Sequence, residues 1–228
     1  MQTHVFQLLK PYEHKLRVCF LEKEDAVRND TDAARLLKVN RIASLNQVHG
    51  NRSCIVHEPM HRGGHHDGMM TDEKDLTLLL RIADCQGFVI YSPEKNVVGV
   101  LHAGWKGLLA GTIPEYFKVL NKEWGIEPSE TIVCAAPSLC QACSGFTDPA
   151  KELPGIDPTF FDGRCVDLRG IAKDQLSRAG VIDANVAFHP DCTRCDLERY
   201  QTYRGNPTDV KAGFHNVLSA TLLTEQSS

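Results

Sequence analysis

Three apolar runs, Leu76–Ile82, Gly87–Tyr91 and Val97–Leu101, follow one another with little between them. Each is aliphatic, too short for a typical globular helix and bounded by turn residues, which reads as a buried strand. At 228 residues the chain has room for the core that such strands need. Residues 16–21, Arg52 to His57, Thr131–Ala135 and Asn185–Phe188 read as further strands.

Helical periodicity appears between them. Asp32 to Val39 reads as a short helix entered through Asn29, Asp30 or Thr31 as cap, and Leu168–Ala179 as a helix ended by Gly180. Trp105, Leu108, Leu109, Ile113, Tyr116, Phe117, Leu120 and Trp124 fall mostly at three- and four-residue steps. Pro114 interrupts that face, and Thr112-Ile113-Pro114-Glu115 has the form of a capping box, so a kink or restart is expected there. The segment Phe214–Leu223 fits either element type. No repeat, low-complexity tract or linker divides the chain, and strands and helices mix without regular alternation. The expectation is an α+β fold with mixed β-sheets flanked by helices, in a single domain over residues 1–228.

Composition excludes several functional classes. Hydrophobic residues make up 42% and charged residues 24%, as in soluble globular proteins. No run approaches the roughly 18 apolar residues of a membrane helix. The opening Met-Gln-Thr-His-Val-Phe has no basic-then-apolar leader pattern. A net charge of -4 gives no global attraction for nucleic acid or an anionic membrane. A cytoplasmic protein with neither of those partners is expected; the oligomeric state is left open.

Nine cysteines cannot all pair within one chain, and a domain of this size needs no disulfide staples. They read as buried small hydrophobes, or as metal ligands and reactive thiols. Cys140-Gln141-Ala142-Cys143 and Cys192-Thr193-Arg194-Cys195 each carry the spacing that tetrahedral zinc uses. Gln47-Val48-His49-Gly50, Ala83-Asp84-Cys85 and His102-Ala103-Gly104-Trp105 each put a metal-capable side chain near a strand or turn. Two imidazoles and one thiolate suit a catalytic zinc with an open fourth position; the alternative is three satisfied core residues. His57-Glu58-Pro59-Met60-His61 matches the zincin pattern, but that chemistry needs a helix, and Pro59 argues for a solvated loop instead.

Four segments in this order, Ser44-Leu45-Asn46-Gln47-Val48-His49-Gly50, Asp67-Gly68-Met69-Met70-Thr71, Arg81-Ile82-Ala83-Asp84-Cys85 and His102-Ala103-Gly104-Trp105-Lys106-Gly107, resemble the YfiH family. Its members are also called laccase-domain proteins or multicopper polyphenol oxidases. Ala136-Pro137-Ser138-Leu139, Val166-Asp167-Leu168-Arg169, Cys192-Thr193 and Tyr200-Gln201-Thr202-Tyr203-Arg204 extend the resemblance from about Ser44 to Arg204. The chain departs from the family pattern at Leu21–Asn29, which lacks its glycine-rich segment, and at Cys143-Ser144-Gly145-Phe146. Lys106 and Gly205 stand where the family has arginines.

The resemblance implies His49, Cys85 and His102 as zinc ligands. It also implies a purine nucleoside phosphorylase acting on adenosine, inosine, guanosine and methylthioadenosine with phosphate, with adenosine deaminase activity. Cys85, His49, His102 and Asp84 are then the catalytic candidates, with Asp84 as an acid or base. Gln47, Arg81, Lys106 and Arg204 are the substrate-binding candidates, each with a structural ion pair or surface charge as its alternative role. Lys106 is expected to point away from the Trp105 indole, towards an anion held at the N-terminus of one long helix. Copper also fits Cys, two His and a nearby Met69 or Met70. A laccase cluster of three further coppers would, however, consume every other histidine in the chain. The other readings are a copper-dependent polyphenol oxidase, a metal-free hydrolase or deamidase using Cys85 and His102, and a non-catalytic metal-binding module.

Overall fold

The aliphatic runs are strands in a computed structural model of the chain, which describes residues 2, 3 and 6–224. Met1, His4 and Val5, from the segment read above for a leader, lie outside the described residues, as do residues 225–228. The chain begins with β1 (Gln2–Thr3), β2 (Leu16–Leu21), α1 (Asp30–Leu37), β3 (Ile42–Asn46), β4 (Ser53–Ile55), β5 (Met60–His65) and β6 (Gly68–Thr71). The three aliphatic runs become β7 (Thr77–Ile82), β8 (Gln86–Ser92) and β9 (Val97–Ala103). Then follow α2 (Trp105–Leu109), α3 (Thr112–Trp124), β10 (Ile132–Ala135), α4 (Pro149–Glu152), β11 (Phe161–Asp162) and β12 (Cys165–Val166). The last elements are α5 (Leu168–Ala179), β13 (Val186–Phe188), α6 (Pro207–Lys211) and β14 (Asn216–Leu222).

Two six-stranded sheets, β1-β2-β14-β7-β3-β5 and β13-β10-β8-β9-β6-β4, carry the fold. Both are mixed: β7 pairs antiparallel with β14 and parallel with β3, and β10 pairs antiparallel with β8 and parallel with β13. Mixed sheets flanked by helices were the expectation.

Side-chain alternation explains why the central strands carry no polar face. Leu78, Leu80 and Ile82 of β7 meet Val89 and Tyr91 of β8 and Val98 and Val100 of β9 in a core between the sheets. The intervening Phe88, Ile90, Val97 and Leu101 face the other way, against Ile113, Tyr116, Phe117 and Leu120 of α3 and Ile171 and Leu176 of α5. On the far side, Leu79 and Val217 pack with Ala33 and Leu37 of α1. The result is a β-sandwich with helices on both outer faces, in which a strand buried on both sides must be apolar throughout.

The caps lie at residues the sequence offers, although α1 starts and ends two residues before the expected Asp32–Val39. Asn29 is the cap of α1, its Oδ1 accepting from Asp32 N at 2.9 Å. Asp167 caps α5 through Gly170 N at 2.9 Å, and Gly180 closes it at φ 101°. The long amphipathic stretch restarts: Gly111, at φ 74°, separates α2 from α3. Thr112 nevertheless makes no capping box. Gly111 occupies the cap position, and Thr112 lies inside the first turn with its buried Oγ1 unpartnered. The tail resolves as β14, which pairs on both edges.

Gly99 shows how closely the layers approach. A Cβ there would overlap the Tyr116 hydroxyl and stand 2.7 Å from the Met69 carbonyl oxygen, which is fixed backbone. Gly99→Ala is expected to destabilise the fold by about 3 kcal/mol, read as a lowered denaturant midpoint.

Candidate functional site

The three predicted ligands come from three different places in the sandwich. His49 follows β3 in the first sheet, His102 lies on β9 in the second, and Cys85 sits in the β7–β8 crossover between the sheets. Their donor atoms all lie within 4.8 Å of one another. The two imidazoles stand edge to face with centroids 4.8 Å apart.

Asp67 holds this arrangement. Fully buried just before β6, it accepts from the backbone N–H of His49 at 2.9 Å and of Gly50 at 2.7 Å, and from Val48 at 3.3 Å. These bonds fix His49 in the left-handed region at φ 60°, a conformation that a non-glycine residue adopts only when it is held there. The same carboxylate lies 2.8 Å from His102 Nδ1, which sets the imidazole orientation and leaves Nε2 for the site. Gly104 is needed for close approach, because a Cβ there would meet Cys85 Sγ at 2.9 Å and His49 Cδ2 at 3.0 Å.

Electrostatics favour ionised forms despite burial. Burial alone would push the Cys85 thiol up, but His102, with help from His49, outweighs it and brings the thiol down to about 6. Burial would lower His102, yet the Cys85 thiolate and the Asp67 carboxylate raise it to about 9. Asp67 resists the upward push of burial because His102 and the Gly50 and His49 amides bond to it. A low thiol next to paired imidazoles is ready for a divalent cation or for nucleophilic attack.

Two chambers meet at His49 and Cys85. One, of about 550 Å³, is lined by Arg28, Arg62, Arg81, Lys211 and His215, with no carboxylate in its wall among the described residues. The other, of about 320 Å³, is lined by Trp105, Lys106, Leu139, Leu168, Tyr203 and Arg204. His49, Ala83, Cys85 and Tyr203 belong to both walls.

The model of one protein family, described as multi-copper polyphenol oxidoreductase laccase, matches residues 20–215. The chain belongs to this laccase family. It is 29% identical over 192 residues to the protein named purine nucleoside phosphorylase SCO2081 of Streptomyces coelicolor, covering 80% of this chain and 78% of that one. It is 28% identical to purine nucleoside phosphorylase YlmD of Bacillus subtilis over 60% of this chain and 53% of that protein. Among solved structures, YfiH of Bacillus licheniformis superposes with a TM-score of 0.78 at 19% identity, covering 92% of this chain and 93% of the other. YlmD of Geobacillus stearothermophilus does so at 0.74 and 22% identity, covering 85% and 79%.

In this laccase-family chain the remaining candidates divide between the chambers. Arg81, whose Nη2 lies 3.4 Å from Asp30 Oδ1, lines the basic one. Gln47 also lines it, but its amide is used by the backbone: Nε2 donates to Arg81 O at 2.8 Å and Oε1 accepts from Arg81 N at 3.1 Å. Asp84 has both oxygens engaged, by Thr193 Oγ1 at 2.7 Å and Arg204 N at 2.6 Å. Arg204 donates to Gly145 O at 2.6 Å and lies over Phe146. Lys106 does not point away from Trp105: its Nζ lies 5.4 Å from the indole centroid, a cation–π contact. The long helix expected to hold an anion is also absent, since α2 ends after five residues. His57 and His61 do not converge either. His57 pairs with Asp72 and Glu73, His61 with Asp30, and β5 starts at Met60 where a zincin would have helix.

Asp67, Arg28, Arg62 and Lys211 are further candidates at this site that the sequence alone does not single out. Asp67 lies in one of the family-like segments, but only the fold shows that its carboxylate reaches both the His49 turn and the His102 ring on β9. Asp67→Asn keeps the volume and loses the charge. It is expected to weaken divalent-metal affinity by about 10- to 100-fold, measurable by competition with a chromogenic chelator.

Proposed function

We propose that this chain is a zinc-dependent purine nucleoside phosphorylase with adenosine deaminase activity. The observation that supports it most is the meeting of a basic chamber and an aromatic one at His49 and Cys85, with His102 beside them in the basic wall. A reaction joining an oxyanion to a flat base needs both. The donor set fits zinc: two imidazoles and a thiolate favoured in ionised form, with Asp67 orienting one of them. His49, Cys85 and His102 would hold it, and zinc there supplies Lewis-acid activation of an oxygen nucleophile, phosphate or water.

The chain's own residues do the rest. Arg28, Arg62, Arg81 and Lys211 bind phosphate, and Trp105 and Tyr203 flank the purine, with Lys106 and Arg204 at its edge. An oxygen of hydrogen phosphate bonds to the ribose anomeric carbon as the bond to the purine nitrogen breaks, and the departing nitrogen takes up the proton that the phosphate gives up. The phosphate anion held by these cations faces the positive charge that develops on the ribose as the base departs. In deamination, water adds to the amino-bearing carbon of adenine and ammonia leaves. Asp84, with both oxygens occupied, is assigned to positioning Arg204 and the Cys85 turn, and Gln47 to fixing Arg81.

Zinc-quantified protein incubated with adenosine, inosine, guanosine or methylthioadenosine should release base only when phosphate is present, with ribose 1-phosphate, or methylthioribose 1-phosphate from the last, as co-product. Absence of phosphate-dependent release from all four would overturn the assignment. Within it, Arg62→Ala is expected to raise KM for phosphate about 10-fold with nucleoside KM within about twofold, one lost charge-assisted hydrogen bond. A second reading rests on His102 lying between Cys85 and Asp67, the order of a cysteine-hydrolase triad.

A further inference from the structure

The four cysteines of the two Cys-x-x-Cys turns, 52 residues apart between Cys143 and Cys195, converge outside the site described above. Cys140, Cys143, Cys192 and Cys195 place all four Sγ atoms within 4.8 Å of one another. Cys140 and Cys195 stand 3.9 Å apart, and Cys143 and Cys195 3.6 Å. Tetrahedral zinc with four Zn–S bonds of about 2.3 Å sets neighbouring sulfurs about 3.8 Å apart. A disulfide requires about 2.05 Å. The sulfurs are therefore spaced for a shared cation and not for bonds to one another.

Both turns are built alike. Cys143 N donates to Cys140 O at 3.1 Å and Cys195 N to Cys192 O at 3.2 Å, so each pair is wound into one tight turn that aims two sulfurs the same way. Cys140 N donates to Cys192 Sγ at 3.2 Å, and the Arg194 and Cys195 amides also face that sulfur. These N–H groups fix the sulfur's position inside the cluster. Cys192 is buried and Cys195 exposed, so the cluster opens to solvent on one side, where an ion can enter.

We propose that Cys140, Cys143, Cys192 and Cys195 bind a second, structural divalent zinc ion. Four protein ligands close its coordination sphere, which makes it a staple without a catalytic position. What it fastens is the wall of the aromatic chamber. Ser138 and Cys192 form a β-bridge, and Thr193 N donates to Ser138 O at 3.2 Å. Thr193 in turn holds Asp84 at 2.7 Å, one residue from Cys85. Arg169 bonds the Ser138 and Asp191 carbonyls from beneath. The loop carrying Ser138, Leu139 and Ser144 and the loop leading to Tyr203 and Arg204 are thus tied at the thiol cluster.

The test counts metal and not turnover. Purified full-length protein from zinc-supplemented cells should hold two zinc ions per chain by plasma mass spectrometry. The double variant Cys143→Ser/Cys195→Ser should hold one, and His49→Ala/His102→Ala should also hold one. Should the cysteine variant fold poorly, cobalt loading of His49→Ala/His102→Ala gives an independent reading. Its sulfur-to-cobalt charge-transfer band should have the intensity of four thiolates with tetrahedral ligand-field bands. One zinc in wild type that the histidine variant abolishes, two zincs retained in the cysteine variant, or a disulfide among the four cysteines of anaerobically purified protein would each overturn the proposal. None of these outcomes depends on whether the chain cleaves nucleosides.

Discussion

Replacing any one of His49, Cys85 or His102 with alanine is expected to lower kcat/KM for phosphorolysis by at least about 1,000-fold, or about 4 kcal/mol of transition-state stabilisation. A three-ligand site that loses one donor no longer holds its cation, so each variant should also lose one equivalent of zinc. The fold should persist, because the cores between and outside the sheets do not include these side chains. A near-native circular dichroism spectrum with absent turnover is the predicted pairing. Retained turnover in a zinc-free His49→Ala protein would refute the metal-dependent reading.

Chelation separates the two chemistries that the triad could support. Treated with a strong chelator, the protein should lose activity and regain it with zinc, and Cys85 should then alkylate readily. With the thiol at about 6 in the metal-free chain, its reaction with iodoacetamide should be fast at pH 7 and above and should slow as pH falls below 6, where the thiolate is protonated. Zinc should protect it by about 100-fold or more, because the ligand sulfur's lone pairs are engaged. A cysteine hydrolase would behave oppositely, surviving chelation and dying on alkylation.

Much of this architecture could be read along the chain, for physical reasons that differ by element. Strands β7, β8 and β9 are legible because a strand covered on both faces is apolar along its middle. Helix α5 is legible because Asp167 and Gly180 mark its ends with side-chain and backbone chemistry. Strand β5, Met-His-Arg-Gly-Gly-His, offers neither apolar alternation nor β-branched residues, and it pairs with β3 through two register shifts. Its existence depends on the neighbour. The candidate ligands were found by motif, but their convergence depends on how two sheets stack. Most of the basic chamber was invisible because Arg28, Arg62 and Lys211, each alone, look like surface charges. Lys106 was placed wrongly because helical periodicity says where a Cβ points and not what a long cationic chain then lies on.

His49 and His102 belong to opposite sheets, and Cys85 sits on the crossover that joins them. A cation held there is consequently a clasp on the mouth of the sandwich: prising the sheets apart at that end would tear one imidazole from the other. Mass action then links two events that look unrelated, occupancy of the centre and breathing of the layers. Each tenfold excess of free cation over its dissociation constant makes that opening rarer by about 1.4 kcal/mol, so amide exchange around Val48–Gly50 and Leu101–Ala103 would report metal supply.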